Sequence, residues 1–409
     1  MKCLIFVQNY PPEIGPVRYT YDLANSLNES DHKISVITGI PHYPTGRKYP
    51  GFETIEVIHR NENGIEVIRT PILCASNTQP IKRILGFITF FFSALPHLFQ
   101  RKDFDLIIVS IPPFTVLFLG IVGKLLFKIP FIVLLRDFEP YSSLNLRRFL
   151  TNKFIHSITK LLSQFYRIAD VVVATHSSQL NSINEMGLTF KILKVIPHPV
   201  EIKHFDLSSN FRSNSDLSRS NRNLVGLYIG TFGKSHSLPE LIKSLTSREI
   251  AELPIDFIFI GDGEDSIKCK KIANASNSQN VKIYETVSFE EVPGKIQQAD
   301  FLIYSLKPNI FMDIVGAKFY EYFASAKPIL ACGKSAVIDI IKQVGNGWWI
   351  DSMDSIELYN CLKRIMKDKS EFDMMGALGR DYIQKISSAN SFGENWNQLC
   401  RSLIKSLKS

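Results

Sequence analysis

Asp313-Ile-Val-Gly316-Ala-Lys318-Phe-Tyr-Glu321-Tyr-Phe-Ala-Ser-Ala-Lys327-Pro328-Ile-Leu330 reads as a turn, a short helix and a buried strand in immediate succession. Val315-Gly316 interrupts the apolar pattern, and from Lys318 onward Phe319, Tyr322 and Phe323 fall on one helical face. Pro328 ends the helix, and Ile329-Leu330-Ala331-Cys332 resumes as a strand bounded by Gly333. Lys318 and Glu321 stand three apart in the first turn, where a cation and a carboxylate can point the same way. A helix N-terminus also favours an anion, so a phosphate beside Lys318 would meet charge and backbone N–H groups together. An ordinary surface ion pair is the competing reading, and the rest of the chain has to decide between them.

Working outward, the pattern on both sides is short apolar strands alternating with helices, as in a parallel sheet with crossover helices. Upstream, Val225–Ile229 is a strand that opens into Gly230-Thr-Phe-Gly233-Lys234-Ser-His236, and Phe257–Ile260 ends in Gly261-Asp-Gly263. Gly233 and Lys234 after a strand suit a phosphate loop, with backbone donors and one cation, although paired glycines are common in α/β turns. Residues 203–223 are rich in serine and asparagine and read as a linker. The domains are therefore expected at 1–202 and 224–390, with a carboxyl-terminal segment 391–409.

The first half repeats the theme. Leu4–Val7, Lys33–Thr38, Gly64–Arg69, Asp105–Ser110, Pro130–Leu135, Val171–Ala174 and Ile192–Ile196 are expected strands. Loops at the carboxyl ends of such strands line the ligand crevice. Gly15 would permit close backbone approach there and Arg18 could face an anion, against a plain Pro/Gly turn with a solvated arginine. His42 lies in a second such loop, His42-Tyr-Pro-Thr-Gly46, where a hydrogen-bonded structural histidine is the alternative. Arg136, Asp137 and Glu139 follow the strand ending at Leu135, suited to acceptor contacts or general-base work, or to capping the next helix.

A chain of 409 residues with 45% hydrophobic content supports two cores rather than a disordered polymer. Six scattered cysteines without a Cys-x-x-Cys pair argue against a zinc site or a disulfide framework. The amino terminus reads as the first strand and not as a signal peptide. A net charge of +8 calls for an anionic partner; no nucleic-acid-binding motif is present, so a membrane surface is favoured over nucleic acid. Ile81–Lys102 carries basic residues at both ends of an apolar run that Pro96-His97 is expected to cut. It fits an interfacial helix better than a span, with a buried crossover helix as the alternative.

In order along the chain, several of these segments resemble the retaining glycosyltransferases of family 4. They are Asn9-Tyr-Pro-Pro-Glu-Ile-Gly15, Pro41-His-Tyr-Pro-Thr-Gly46, Asp137-Phe-Glu-Pro140, Ala169-Asp170, Val195-Ile-Pro-His-Pro-Val200, Gly261-Asp-Gly263 and Lys318-Phe-Tyr-Glu321 with Lys327-Pro328. The loop at His42 and the apolar segment before Asp105 most resemble enzymes that build bacterial surface polysaccharides. The resemblance implies an α/β architecture of two Rossmann-like domains facing across a cleft, the GT-B fold, with the last helix packing back towards the amino-terminal domain. It implies a nucleotide diphosphate sugar donor, a lipid-linked glycan acceptor, no cofactor and no metal, and a cytoplasmic enzyme peripheral on the inner face of the plasma membrane. Glu321 matches the ribose-binding glutamate of the family's Glu-x7-Glu motif, and Asp313 replaces the first glutamate. Gly15, Gly233, Lys234, Gly316 and Lys318 match donor-binding positions, and a family Lys-Gly pair is replaced by Ser237-Leu238 after His236. Asp137 and Asp313 are the implied catalytic acids; Arg18, His42, Arg136 and Glu139 are acceptor-side candidates. The family's donor-sugar histidine has no assigned counterpart. A nucleotide-sugar 2-epimerase of the same architecture and a non-catalytic nucleotide-sugar-binding protein are the alternatives.

Overall fold

The computed structural model describes the chain apart from residues 14–16, 77–78, 101–102, 137–160, 162, 186, 207–221, 277, 308–314 and 409. It divides into two compact units, Met1–Pro199 with Ala389–Ser409, and Val200–Ser388. The interior of the expected linker lies outside the described residues.

The first unit is built on eight strands: β1 (Lys2–Phe6), β2 (Lys33–Gly39), β3 (Ile58–Glu62), β4 (Ile65–Thr70), β5 (Leu106–Ile111), β6 (Phe131–Leu135), β7 (Val171–Ala174) and β8 (Leu193–Val195). They lie in the order β3-β4-β2-β1-β5-β6-β7-β8, parallel except for β3. Each apolar run is buried on both faces because helices cover both. Leu4 and Phe6 point to the layer holding the helices Pro80–Gln100 and Val116–Phe127, while Cys3 and Ile5 point to the layer holding Arg18–Glu29 and Ala389–Lys408. Strand β3 escaped the sequence reading because it is a polar edge strand with three exposed central residues. The hairpin to β4 turns at Asn63 and Gly64, both at positive φ (55° and 83°), the backbone that a two-residue hairpin needs.

The second unit has six parallel strands: β9 (Leu224–Ile229), β10 (Ile255–Ile260), β11 (Val281–Tyr284), β12 (Phe301–Ser305), β13 (Ile329–Cys332) and β14 (Gly347–Ile350). Their order is β11-β10-β9-β12-β13-β14. Both sheets therefore reverse direction of growth beside their first strand, at β1/β5 and at β9/β12.

The helix Pro80–Gln100 runs straight through Pro96, contrary to the expected break. Pro96 leaves the Phe92 carbonyl without its helical donor, but Phe92 is 64% exposed and water can serve that oxygen. One face of the helix, with Phe90, Ala94 and Leu98, joins the core. The other leaves Ile81, Leu85, Ile88, Phe92 and Phe99 exposed.

The helix Ala389–Lys408 completes the first unit. Trp396 is fully buried; its Nε1–H donates to the Tyr19 hydroxyl (3.2 Å), which donates in turn to the Ile196 carbonyl (2.8 Å). Replacing Trp396 by alanine is expected to cost about 3–5 kcal/mol in urea unfolding, as other buried large-to-small changes do. A loss under 1 kcal/mol would show that this helix contributes little to the unit's stability.

Candidate functional site

In the second unit the chemistry-bearing residues gather at the carboxyl edge of the sheet, beside the β9/β12 switch point. An open parallel sheet leaves a ligand crevice there. Strand β9 ends at Ile229, and Gly230 leaves it at φ 140° with its N–H donated to the Ile260 carbonyl (2.9 Å). A Cβ on Gly230 would lie 2.6 Å from both Cε and Nζ of Lys318. Gly261, at φ 148°, lets the loop after β10 close on the Gly230 carbonyl, where a Cβ would approach to 1.9 Å.

The opening stretch delivers its helix here. It spans Ala317–Ala324, with Gly316 at its N-cap and Phe319, Tyr322 and Phe323 buried beneath it. The Tyr322 hydroxyl accepts the Ile229 N–H (3.0 Å) and faces the Ile229 carbonyl (3.3 Å), which ties the helix to the end of β9. On the first turn, Lys318 extends over the Tyr228 ring, with Nζ 3.7 Å from its centroid. That nitrogen is sealed from solvent and has no hydrogen-bond partner among the described residues. Burial pulls its pKa down to about 7, and the Glu321 carboxylate only partly opposes the shift. The ring face returns about 2 kcal/mol to a desolvated cation. An ammonium taken from water without hydrogen bonds loses several kcal/mol, so desolvation wins.

His236 belongs to the short turn Lys234–His236 that follows Gly233. Its Nδ1 donates to the Ser305 carbonyl (3.1 Å), tying the β9 loop to the end of β12. Burial first, and the nearby Lys318 second, lower its pKa to about 4, so it is a neutral ring. Lys234 differs from Lys318: its side chain is 73% exposed and pairs with Glu264 (3.0 Å). Gly233, Lys234, Gly316, Lys318 and Glu321 thus belong to one edge of the second unit, whereas Asp313 lies outside the described residues.

In the first unit, the carboxyl edge is organised by a residue to which the sequence reading assigned no role. Glu13 is buried, and its carboxylate accepts the His42 N–H (2.7 Å), the Tyr43 N–H (2.8 Å) and the Asn9 amide (2.9 Å). Its position in Pro11-Pro12-Glu13 was the only signal. His42 is buried too, and its Nδ1 donates to the Ile40 carbonyl (2.8 Å). Arg18 sits on the first turn of its helix and pairs with Asp22 (2.9 Å). Arg136, beyond β6, reaches the Pro112 carbonyl (3.4 Å). His198 is kept neutral, its pKa lowered to about 4 by burial and then by the two arginines. Gly15, Asp137 and Glu139 lie outside the described residues. Among the described residues, no three histidine, cysteine, aspartate or glutamate side chains come together to hold a metal ion.

Comparison with known proteins follows the same division. Residues 15–204 match the family model Glycosyltransferase Family 4, and residues 212–382 match Glycosyl transferases group 1. An uncharacterized glycosyltransferase of Methanocaldococcus jannaschii is 24% identical over 394 residues, 94% of each chain. Among solved structures, sucrose-phosphate synthase from Thermosynechococcus elongatus superposes with a TM-score of 0.74 at 14% identity, covering 99% of both chains. Anabaena HepE in complex with UDP-glucose gives 0.69 at 16% identity, covering 98% of this chain and all of that one. These likenesses establish the GT-B fold.

The buried lysine makes a prediction about stability. Its folded pKa lies below the unfolded value, so the unfolded chain binds more protons between pH 7 and the ordinary lysine range. The cost of burying it is therefore full below pH 7 and fades as the pH rises towards 10. Lys318→Met is expected to raise the melting temperature at pH 6–7 and to have progressively less effect by pH 10. A gain that does not depend on pH would show that Lys318 is not held in a desolvated state.

Proposed function

Because the chain belongs to the glycosyltransferases of the GT-B fold, we propose that it is a retaining, hexosyltransferase-type enzyme. It moves a sugar from a nucleotide diphosphate sugar, in the first instance a UDP-sugar, to a lipid-linked or oligosaccharide acceptor in bacterial surface-polysaccharide assembly. The observation that carries this reading is the buried Lys318 on the first turn of the helix Ala317–Ala324, with Glu321 one turn along, next to the glycine-bordered end of β9. Two named proteins of the same fold support it. HepE was solved with UDP-glucose, and WaaG is described as acting in lipopolysaccharide biosynthesis.

On this reading Glu321 holds the ribose, and Lys318 with Lys234 faces the diphosphate. The leaving nucleoside diphosphate gains negative charge in the transition state, so fixed cations and helix-end N–H groups stabilise it there. Asp313 and Asp137 act at the donor sugar. The donor's own phosphate takes the acceptor proton in a front-face transfer. The first unit holds the acceptor through Arg18, His42, Arg136 and Glu139. Glu13 supports this role by fixing the backbone of the His42 loop through two N–H groups.

The same reading places the enzyme on the cytoplasmic face of a membrane. Pro80–Gln100 is a described helix long and apolar enough by composition to cross one. Its inner face is committed to the core, so an in-plane seat for the outer face suits it better. Lys82 and Arg83 at its start can meet anionic headgroups.

Three measurements test these statements. Release of nucleoside diphosphate should require an added glycan acceptor, and release without one, or interconversion of the free sugars, would overturn the transferase assignment. Glu321→Ala should weaken nucleotide binding at least tenfold, worth about 1.4 kcal/mol, in a protein that still unfolds cooperatively; unchanged affinity removes its ribose role. Phe91 is half-buried against Phe118, so the membrane test uses Leu85→Asp with Phe92→Asp. The double variant should leave vesicles of anionic lipid in flotation, and undiminished flotation would exclude this face.

A further inference from the structure

Lys318 is an unusual cation for a phosphate site. A lysine waiting for an anion ordinarily extends into water, as Lys234 does. The Lys318 amine is withdrawn from solvent, lies on the face of an aromatic ring and lacks a hydrogen-bond partner among the described residues. The fold has made a specific place for it, since Gly230 leaves room for Cε and Nζ that any larger residue would fill.

The groups around it do not balance a full charge. From β9 comes Tyr228, buried, its phenol held neutral by burial and its hydroxyl donated to the Thr231 carbonyl (2.7 Å). The β9 loop contributes His236, which is neutral. Behind Tyr228 lie Tyr304 of β12 and Tyr322 of the same helix, both phenols neutral. Glu321, one turn along, is the one anion acting on Lys318 among the described residues, and it does not offset burial.

Resting on the nucleotide-diphosphate reading of this edge, we propose that Lys318 is stored uncharged against Tyr228 and takes up a proton as the diphosphate binds. A phosphate oxygen would supply the acceptor and the counter-charge that the resting site denies it, so the ammonium form becomes favourable in the complex. The proton comes from solvent and forms an N–H bond with the Nζ lone pair; no bond of the nucleotide is made or broken. Nucleotide affinity then carries a pH dependence that a permanently charged lysine would not give.

The test is calorimetric titration of the full-length protein with UDP, and with ADP and GDP in turn, at pH 8.0, 8.5 and 9.0. Each pH is run in two buffers of different ionisation enthalpy. The terminal phosphate of the free nucleotide is ionised throughout this range, so proton uptake reports on the protein. The expected result is uptake of about one proton per nucleotide and a Kd that weakens by about tenfold per pH unit. Lys318→Met should bind more weakly, without uptake or pH dependence. Lys318→Arg, charged at every pH used, should show no uptake either. Binding with equal heats in both buffers and a flat Kd would overturn the proposal while leaving the nucleotide site standing. Proton uptake that persists in Lys318→Met would overturn it as well. Failure of all three nucleotides to bind at any pH would remove the underlying reading and the proposal with it.

Discussion

Gly230 and Lys318 impose on each other. The lysine stem crosses the point where strand β9 ends, at a distance that excludes a Cβ, and it carries its amine onto the Tyr228 ring. Were Gly230 any larger, the end of the Lys318 side chain would have to move off its place over the Tyr228 ring. Tyr322 ties the helix to the strand from the other side through the two backbone groups of Ile229. Ala317–Ala324 can therefore be a short helix, below the length at which helices are stable alone, because tertiary contacts supply what propensity does not.

Each unit uses its sheet in the same way and equips its edge differently. Both sheets reverse their strand order beside the first strand, which opens a crevice at the carboxyl ends. In the first unit a buried carboxylate, Glu13, fills that region by accepting three N–H donors from two loops. A carboxylate so bonded rigidifies its loops. In the second unit the corresponding region holds an amine that has no such bonds among the described residues. The contrast is between a rigid frame at the edge of one unit and a responsive group at the edge of the other.

Much of this was legible in the sequence, because buried parallel strands write themselves as apolar runs. β1, β2, β5, β6, β7, β9 and β13 fall within one or two residues of where those runs place them. The misses have physical causes. Ile58–Glu62 is a polar edge strand, and its only sign was Asn63-Gly64. Gly347–Ile350, buried beside β13, is only four residues long and was not among the expected strands. Pro96 was given the weight of a helix breaker, but it is accommodated inside the helix Pro80–Gln100 on its exposed side. Lys318 and Glu321 stood out by spacing, but the sealing of Lys318 depends on Gly230, Tyr228 and His236, nearly ninety residues earlier. No local pattern reports that. Glu13 was hidden for the same reason: its partners at His42 and Tyr43 lie a strand and a helix away.

Lys234 and Lys318 show how a basic protein can keep one edge of a unit from becoming a bare positive surface. Lys234 is neutralised from outside by Glu264, in an exposed pair worth little and easily exchanged for another anion. Lys318 is neutralised from within, by desolvation, and sits where water cannot solvate the charge. Two such arrangements cost less together than two unpaired ammonium groups side by side. They also respond differently to an arriving anion. The exposed pair trades one partner for another with no change in proton count, while the buried amine must gain a proton to take part. Under the proposed reading a diphosphate would engage both, whereas a single weak anion at the surface would have only the first to exchange with. On that proposal, selectivity for the doubly charged group would follow from where the fold puts each lysine.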